Sequence, residues 1–385
     1  MTIHQKFNLK QVINASGKMT ILGVSKVTDA VAQAQKEAGQ TFFEMADLTV
    51  KTGQYIAKLL DVENATVVSS ASSGIALSTA AVIGQGDVYH AYHHLTDRIS
   101  KRDIIIPKGH NVNYGTGVEV MVTLGGGHLV EAGWANECTP EQVEIEITDK
   151  TAALLYIKSH HTVQKSMLTI PQMSEIAKKH SLPLIVDAAA EEDLKKYYAQ
   201  GADLVIYSGA KAIEAPSSAV VLGRDPYIPW IQLQNKGIGH AMKIGKDNII
   251  GFVTALEAYL ANGSEDGDSM KARLALFISE LNSISGLSAK EVQDSAGRDI
   301  YRASVKVTSE KTSALQVIAD LKVGDLAVYT REYQANNGII EFDIRAVDRA
   351  EMTAIVNKLQ TIMGSSNEVY LSLWRSDVAI MSATI

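Results

Sequence analysis

"DLVIYSGAKAIEAPSSAVVLG", residues 203–223, places one lysine, Lys211, behind a Ser-Gly-Ala turn and between two apolar, strand-like runs. A lone ammonium held inside a sheet is costly unless it finds a partner or loses its charge, so the stretch asks for a chemical reason. Its two runs are separated by eight residues, 210 to 217, too few for a crossover helix, and are expected to pair antiparallel or nearly so. Upstream, "ATVVSS", "DIIIPK", "VEVMVTL", "AALLYIK" and "LPLIVDA" read as further strands alternating with helical patterns. Continuous apolar strands spaced by helices predict a mostly parallel seven-stranded sheet covered on both faces, an α/β domain. The helices "PQMSEIAKKH", with proline at its start, and "EEDLKKYYAQG", with acids in its first turn and glycine at its end, carry ordinary start and stop signals. "TLGGGHLVEAG", residues 123–133, reads as a flexible glycine-rich loop. No G-x-G-x-x-G follows the first strand, which disfavours a nicotinamide-binding doubly wound protein.

The chain has 385 residues, 46% of them hydrophobic, more than a single core usually organises, so two domains are expected. Near residue 246 the pattern changes. Two helical stretches, "DNIIGFVTALEAYLA" and "DSMKARLALFISELNSI", precede "YRASVKVT", "SALQVIADLK", "LAVYTRE", "GIIEFDIR" and "RAEMTAIVNKLQTIM", a β-α-β-β-α order suited to a small α+β domain. The expected division is an N-terminal segment 1–25, a large α/β domain 26–245 and a small α+β domain 246–385. The tail "GSSNEVYLSLWRSDVAIMSATI" is expected to extend that domain or to meet a partner. A net charge of −7 with scattered basic residues argues against nucleic acid or an anionic membrane as partner. "MTIHQKFNLKQ" shows neither a signal core nor a transit pattern, and no apolar run approaches membrane-spanning length, so a cytoplasmic setting is expected. The single cysteine, Cys138, excludes an intramolecular disulfide and reads as an inert thiol.

In an open α/β sheet, ligands sit beyond the carboxyl ends of the strands, so the residues just after each run carry the information. After "ATVVSS" come Ser72, Ser73 and Gly74, opening a helix whose N–H groups, hydroxyls and dipole favour a phosphate, although serine there also serves as a plain cap. After "LPLIV" comes Asp187, twenty-four residues ahead of Lys211. Phosphate cradle, aspartate and lysine, each at a strand end of one sheet, form the set that pyridoxal 5'-phosphate requires. The helix start takes the phosphate, Asp187 keeps the ring nitrogen protonated, and Lys211 forms the Schiff base, which also removes the buried ammonium. Ser208, three residues before Lys211, is a candidate for a further phosphate hydrogen bond. His110, in "KGHNVNYG", is a candidate to lie over the cofactor ring and reads equally as a hydrogen-bonded surface residue of a loop, while of His160 and His161, after "AALLYIK", one is expected to touch cofactor or substrate and the other to be structural. His90, His93 and His94 in "HAYHH" lack a carboxylate or cysteine to complete a metal site and read as a solvated face; no metal is expected. Arg345 in "FDIRAV" and Arg331 in "YTREY" are candidates to fix a substrate carboxylate, Arg331 reading equally as a surface ion pair. Lys18, Lys236, Lys243 and Lys246 are candidates for a substrate phosphate.

The run from Asp187 through "AAAEE" to "GADLVIYSGAK" resembles the fold-type I pyridoxal-phosphate enzymes, in particular the branch related to bacterial selenocysteine synthase. "VINASGKMTILG" and "IIIPKGHNVNYG" resemble that branch too, and with "YIKSHHTVQKSM" the likeness is closer still to its ammonia-lyases acting on D-glucosaminate 6-phosphate, over about residues 10 to 350. The resemblance implies the fold-type I transferase fold, pyridoxal 5'-phosphate, and an amino sugar acid phosphate as small-molecule partner. It implies that Lys211 removes the α-proton, that the β-hydroxyl leaves, and that the released enamine hydrolyses to ammonia and 2-keto-3-deoxy-6-phosphogluconate. It further implies a homodimer or dimer-based oligomer, since a second subunit generally completes such sites. Selenocysteine synthases carry an added N-terminal region for their tRNA, whereas this chain starts almost directly at "VINASG". The residues alone leave open a sulfur amino acid β-lyase, a selenotransferase, or a non-catalytic protein that kept the fold.

Overall fold

The computed structural model describes residues 1–294 and 298–364, so the expectation for the tail falls outside the described residues from 365 onward. In chain order the strands are β1 (Gln11–Ala15), β2 (Asn64–Val68), β3 (Asp103–Pro107), β4 (His128–Ala132), β5 (Thr151–Ile157), β6 (Leu184–Asp187), β7 (Leu204–Ser208), β8 (Ala219–Gly223), β9 (Leu287–Gln293), β10 (Tyr301–Val307), β11 (Leu326–Thr330) and β12 (Ile339–Phe342). The chain forms two compact units, a larger one from Ser25 to Ser264 and a smaller one made of Met1–Val24 with the chain from Glu265 onward.

In the larger unit seven strands pair in the order β2-β8-β7-β6-β5-β3-β4. β8 runs antiparallel to both β2 and β7, and the pairs from β7 across to β4 are parallel. Reversing twice through β8 leaves β2 pointing the same way as β7, so six strands end at one edge of the sheet. Alternation sorts the strand side chains onto two faces. Ile105, Leu154, Tyr156, Val186, Val205 and Val220 join one core, and Ile104, Ile106, Leu155, Ile185, Ile206 and Val221 the other. Both faces are covered, which is why these strands read as unbroken apolar runs.

Three expectations need correction here. "VEVMVTL" is a helix, Val118–Leu124, not a strand: its buried positions are Val118, Met121 and Val122, the i, i+3, i+4 spacing of a helical face, while Val120 and Leu124 are exposed. The seventh strand is instead β4, inside the glycine-rich segment expected to be a loop; among the described residues it pairs only with β3, as an edge strand, and keeps a largely exposed to half-exposed pattern. "EEDLKKYYAQG" reduces to one turn, Lys196–Ala199.

The division of the chain also differs from the expected one. The Lys246–Asn262 helix packs on the helices Asp29–Gly39 and Met45–Leu60, burying Ile249, Phe252, Ala255 and Leu256 in the larger core, so the boundary falls after Ser264 rather than before 246. The N-terminal segment is not separate: β1 adds to β11 in parallel, and Ile13 and Ala15 enter the smaller core with Phe277, Val305 and Phe342. The remaining strands of that unit form an antiparallel sheet, β12-β10-β9, to which "LSAKEVQ" adds β9, a strand beyond those expected.

Candidate active site

The carboxyl ends of β2, β3, β5, β6 and β7 collect the predicted residues of the larger unit along one edge. Asp187 is the last residue of β6, in register with Ile157 of β5 and Ile206 of β7. It is 4% exposed. Its Oδ1 accepts the Ala189 N–H at 3.0 Å and its Oδ2 lies 3.5 Å from the Tyr114 hydroxyl, which donates to it. Burial pushes its carboxyl up to about 6, against the opposing pull of the Ala189 N–H, the Lys211 charge and Tyr114.

Lys211 stands half-buried in the tight turn between β7 and β8. The turn is held by Gly209 N–H to Ser218 O at 2.8 Å, Ala215 N–H to Gly209 O at 2.9 Å, and the Ser25 hydroxyl on Ala210 O at 2.7 Å. Burial lowers the basicity of Lys211, with the Asp187 carboxylate pulling the other way. The ammonium thus has a carboxylate counterpart in Asp187. Ser208 is half-buried at the end of β7, and its carbonyl takes the Lys211 N–H at 3.4 Å.

At the end of β2 the helix Ala71–Gly84 begins one residue before the expected point. Ser70 is its cap, accepting the Ser73 N–H at 3.0 Å, while the Ser73 hydroxyl reaches back to Ser70 O at 2.8 Å. Ser73 is therefore buried in its own capping box, and Gly74 serves packing: a Cβ there would lie 3.0 Å from Ile206 Cγ2. The N–H groups of Ala71 and Ser72, ahead of the first helical hydrogen bond from Gly74 to Ser70, are the ones left for an anion.

The histidines separate by environment. His161 is exposed, its basicity lowered by partial burial and by the Lys211 charge, and its ring lies 4.0 Å from that of His160. His110 does not present a stacking face. It is fully buried, edge-on to Tyr156 at 4.4 Å, with Nδ1 accepting the Ile157 N–H at 3.4 Å and Nε2 donating to Val163 O at 3.0 Å. Burial drives it down to about 4, so it is a neutral brace for the loop after β5. The aromatic side chain that meets Asp187 is Tyr114, four residues on, inside the quoted "KGHNVNYG" but not singled out. In "HAYHH", His93 is exposed, but His90 is buried against Gly84, where a Cβ would fall 2.2 Å from its Nδ1, so the solvated-face reading fails for that residue. Among the described residues no cluster of three or more His, Cys, Asp or Glu can hold a metal. Cys138 is buried, its thiol pushed up to about 11.

Arg345, Arg331 and Lys18 belong to the smaller unit. Arg345 makes paired bonds to Asp343, Nε to Oδ1 at 2.9 Å and Nη2 to Oδ2 at 2.8 Å. Asp343 also accepts Arg302 Nε at 3.1 Å, and Arg302 pairs through Nη1 with Asp294 at 2.9 Å. The "VINASG" segment closes against this group. Asn14 bonds the Gly17 carbonyl and the Ser16 hydroxyl, and Gly17, at φ +97°, brings its backbone so near that a Cβ would lie 3.3 Å from Asp343 Oδ2. Arg331 pairs with Glu341 at 3.5 Å, the ion-pair reading. In the larger unit Lys246 bonds Thr41 O and covers the Phe42 ring, while Lys236 and Lys243 are exposed.

Comparison with known proteins sets this geometry in a family. The family model described as L-seryl-tRNA selenium transferase matches residues 12–316. The chain belongs to that family. Within it, the chain is 44% identical to a D-glucosaminate-6-phosphate ammonia lyase of Salmonella typhimurium, covering 94% of this chain and 97% of the relative. It is 32% identical to a 5'-C-glycyluridine monooxygenase-decarboxylase of a Streptomyces species, covering 94% and 92%. A solved structure of D-glucosaminate-6-phosphate ammonia-lyase superposes with a TM-score of 0.90 at 43% identity, over 94% of this chain and 98% of that one. A selenium transferase-family chain with this sheet is a fold-type I enzyme, and its cofactor is pyridoxal 5'-phosphate. The residues present fit that group. A buried carboxylate short of donors suits a protonated ring nitrogen, a half-buried lysine of lowered basicity suits its aldehyde, and the open helix start at 71–72 suits its phosphate.

Proposed function

We propose that the chain is a lyase that converts D-glucosaminate 6-phosphate to 2-keto-3-deoxy-6-phosphogluconate and ammonia, the water lost with the β-hydroxyl being regained when the released enamine hydrolyses. The observation that carries the reading is the Lys211–Asp187 pair at the end of two adjacent parallel strands, in a chain 44% identical to a lyase of that name. Bound pyridoxal phosphate supplies an electron sink. Asp187 would hold its ring nitrogen, Lys211 its aldehyde carbon, and the Ala71 and Ser72 N–H groups, with Ser208, its phosphate. Lys211 Nζ, less basic than a lysine in water, keeps a larger unprotonated share near neutral pH and is the atom we assign to take the substrate's α-proton. His161, made less basic by partial burial and by the Lys211 charge, stays largely neutral there and can accept a hydrogen bond from a substrate hydroxyl.

The test is to assay keto acid and ammonia together when purified protein meets D-glucosaminate 6-phosphate, with unphosphorylated D-glucosaminate and a sulfur amino acid alongside. Equal amounts of both products from the phosphorylated substrate are expected. Turnover of the sulfur amino acid alone would move the chain to a β-lyase.

We also assign the working enzyme to the cytoplasm as a homodimer. Among the described residues no helix is long and apolar enough to cross a membrane, the lone thiol is buried, and a strip of the larger unit from Phe42 (98% exposed) through Met45 and Val50 to Tyr55 leaves apolar side chains uncovered. Light scattering on the eluting protein checks the dimer.

A further inference from the structure

We propose that Tyr114 is a positioning residue for Asp187: its hydroxyl holds Oδ2, steadying the carboxylate in its anionic form for the ring nitrogen of the cofactor. The inference rests on the pyridoxal-phosphate reading of the site.

An ionised carboxylate offers about four lone-pair positions. In this buried setting Asp187 has the Ala189 N–H on Oδ1 at 3.0 Å, the Tyr114 hydroxyl on Oδ2 at 3.5 Å, and the charge of Lys211 nearby. The Ala189 bond is local, two residues along the chain, and fixes the carboxyl from one side. Tyr114 arrives from a different strand end, after β3, and is the side-chain hydroxyl on the other oxygen. Burial and the Asp187 charge make the Tyr114 phenol a much weaker acid than usual, its pKa raised well above the ordinary range, so it keeps its proton and acts as the donor, and Asp187 as the acceptor. The charged or titratable groups that act on Asp187 are therefore Tyr114, from the loop after β3, and Lys211, from the turn after β7.

The segment carrying Tyr114 is held in a defined turn. Asn113 Oδ1 accepts the Gly115 N–H at 3.0 Å, Val118 N–H reaches Val112 O at 3.2 Å, and Asn113 pairs with Gly117 across the turn. Gly115 sits at φ +121°, a conformation that residues with a side chain rarely adopt. The body of Tyr114 packs on the apolar core that includes Ile106, Val118 and Ile157. Ring and turn together aim the hydroxyl at a single carboxylate. At 3.5 Å the contact is longer than the ~2.7 Å of a tight hydroxyl–carboxylate bond, so its effect is a fraction of a full charge-assisted bond.

Tyr114→Phe removes the hydroxyl and keeps the ring. Cofactor-free wild type and variant are titrated with pyridoxal phosphate at pH values on both sides of 6, reading protein fluorescence and visible absorbance, with thermal midpoints to confirm an intact fold. The variant is expected to bind about three- to tenfold more weakly on the acid side, with its affinity–pH curve moved up by about half to one pH unit and the difference shrinking toward alkaline pH. Superimposable curves overturn the inference, and so does a loss equal at every pH, which marks a packing role alone. Wild type that takes up no cofactor overturns the site reading itself, a result separate from either.

Discussion

Asp187 in the larger unit and Asp343 in the smaller one are the same residue, 4% and 1% exposed, yet their carboxyls are displaced in opposite directions. Burial pushes Asp187 up to about 6, because one backbone N–H, a long hydroxyl contact and the Lys211 charge do not offset the lost water. Burial acts on Asp343 too, but the bonds and charges of Arg345 and Arg302 outweigh it and bring the carboxyl down to about 2. The number and charge of donors decide the outcome, not burial by itself. A carboxylate left short of donors is poised for a ligand, and one bonded by two guanidiniums is part of the architecture.

The largest effect is expected on chemistry: Lys211→Ala lowers keto-acid formation by about 10³-fold or more while its denaturant unfolding midpoint holds or rises, since a half-buried ammonium has been removed. A variant that keeps turnover would end the assignment of the larger unit's pair to catalysis. Next, Asp343→Ala leaves Arg302 and Arg345 without their shared carboxylate and is expected to cost about 3–5 kcal/mol in urea unfolding; a loss below about 1 kcal/mol would show that the bonded group is not structural. Because the Asp343 carboxyl lies below its ordinary 3.8, its contribution is present above that pH and lost as pH falls toward about 2, so the wild-type midpoint should drop over that window more steeply than the variant's.

The smallest effect carries the opposite sign. The folded carboxyl of Asp187 lies above 3.8, so its share of stability is full when protonated and is lost as pH rises through about 6. In cofactor-free protein, Asp187→Asn should therefore melt higher than wild type at neutral pH, by about 1–3 kcal/mol, with the gap closing as pH falls below about 4. Equal melting at neutral pH would remove the contrast with Asp343.

Much of the site was legible in the residues because its chemistry repeats at strand ends. Asp187 and Lys211 could be read from apolar runs that stop abruptly on a charged or small residue, and the antiparallel β7–β8 pair from the eight residues between its runs. What misled was local. "VEVMVTL" is β-branched enough to suggest a strand, but three buried positions at helical spacing outweigh that propensity. "HLVEA" is too polar to announce itself and becomes β4 only because the edge of β3 offers it a ladder. Ser73 and Gly74 have the residue types of a phosphate cradle, yet Ser70 captures one as a capping partner and the sheet claims the other for packing.

The amino-acid order alone determined the fold class, the edge of the sheet where the candidate residues gather, and the strand-end placement of Lys211 and Asp187, because alternation and strand-end placement are properties of the chain. Tertiary structure decided that His110 is a buried brace, that Tyr114 meets Asp187, that the N-terminal strand joins the C-terminal unit, and that the carboxyls of two buried aspartates are displaced in opposite directions. Each of these depends on which groups from distant segments fall within hydrogen-bonding distance of one another, and no local pattern encodes that distance.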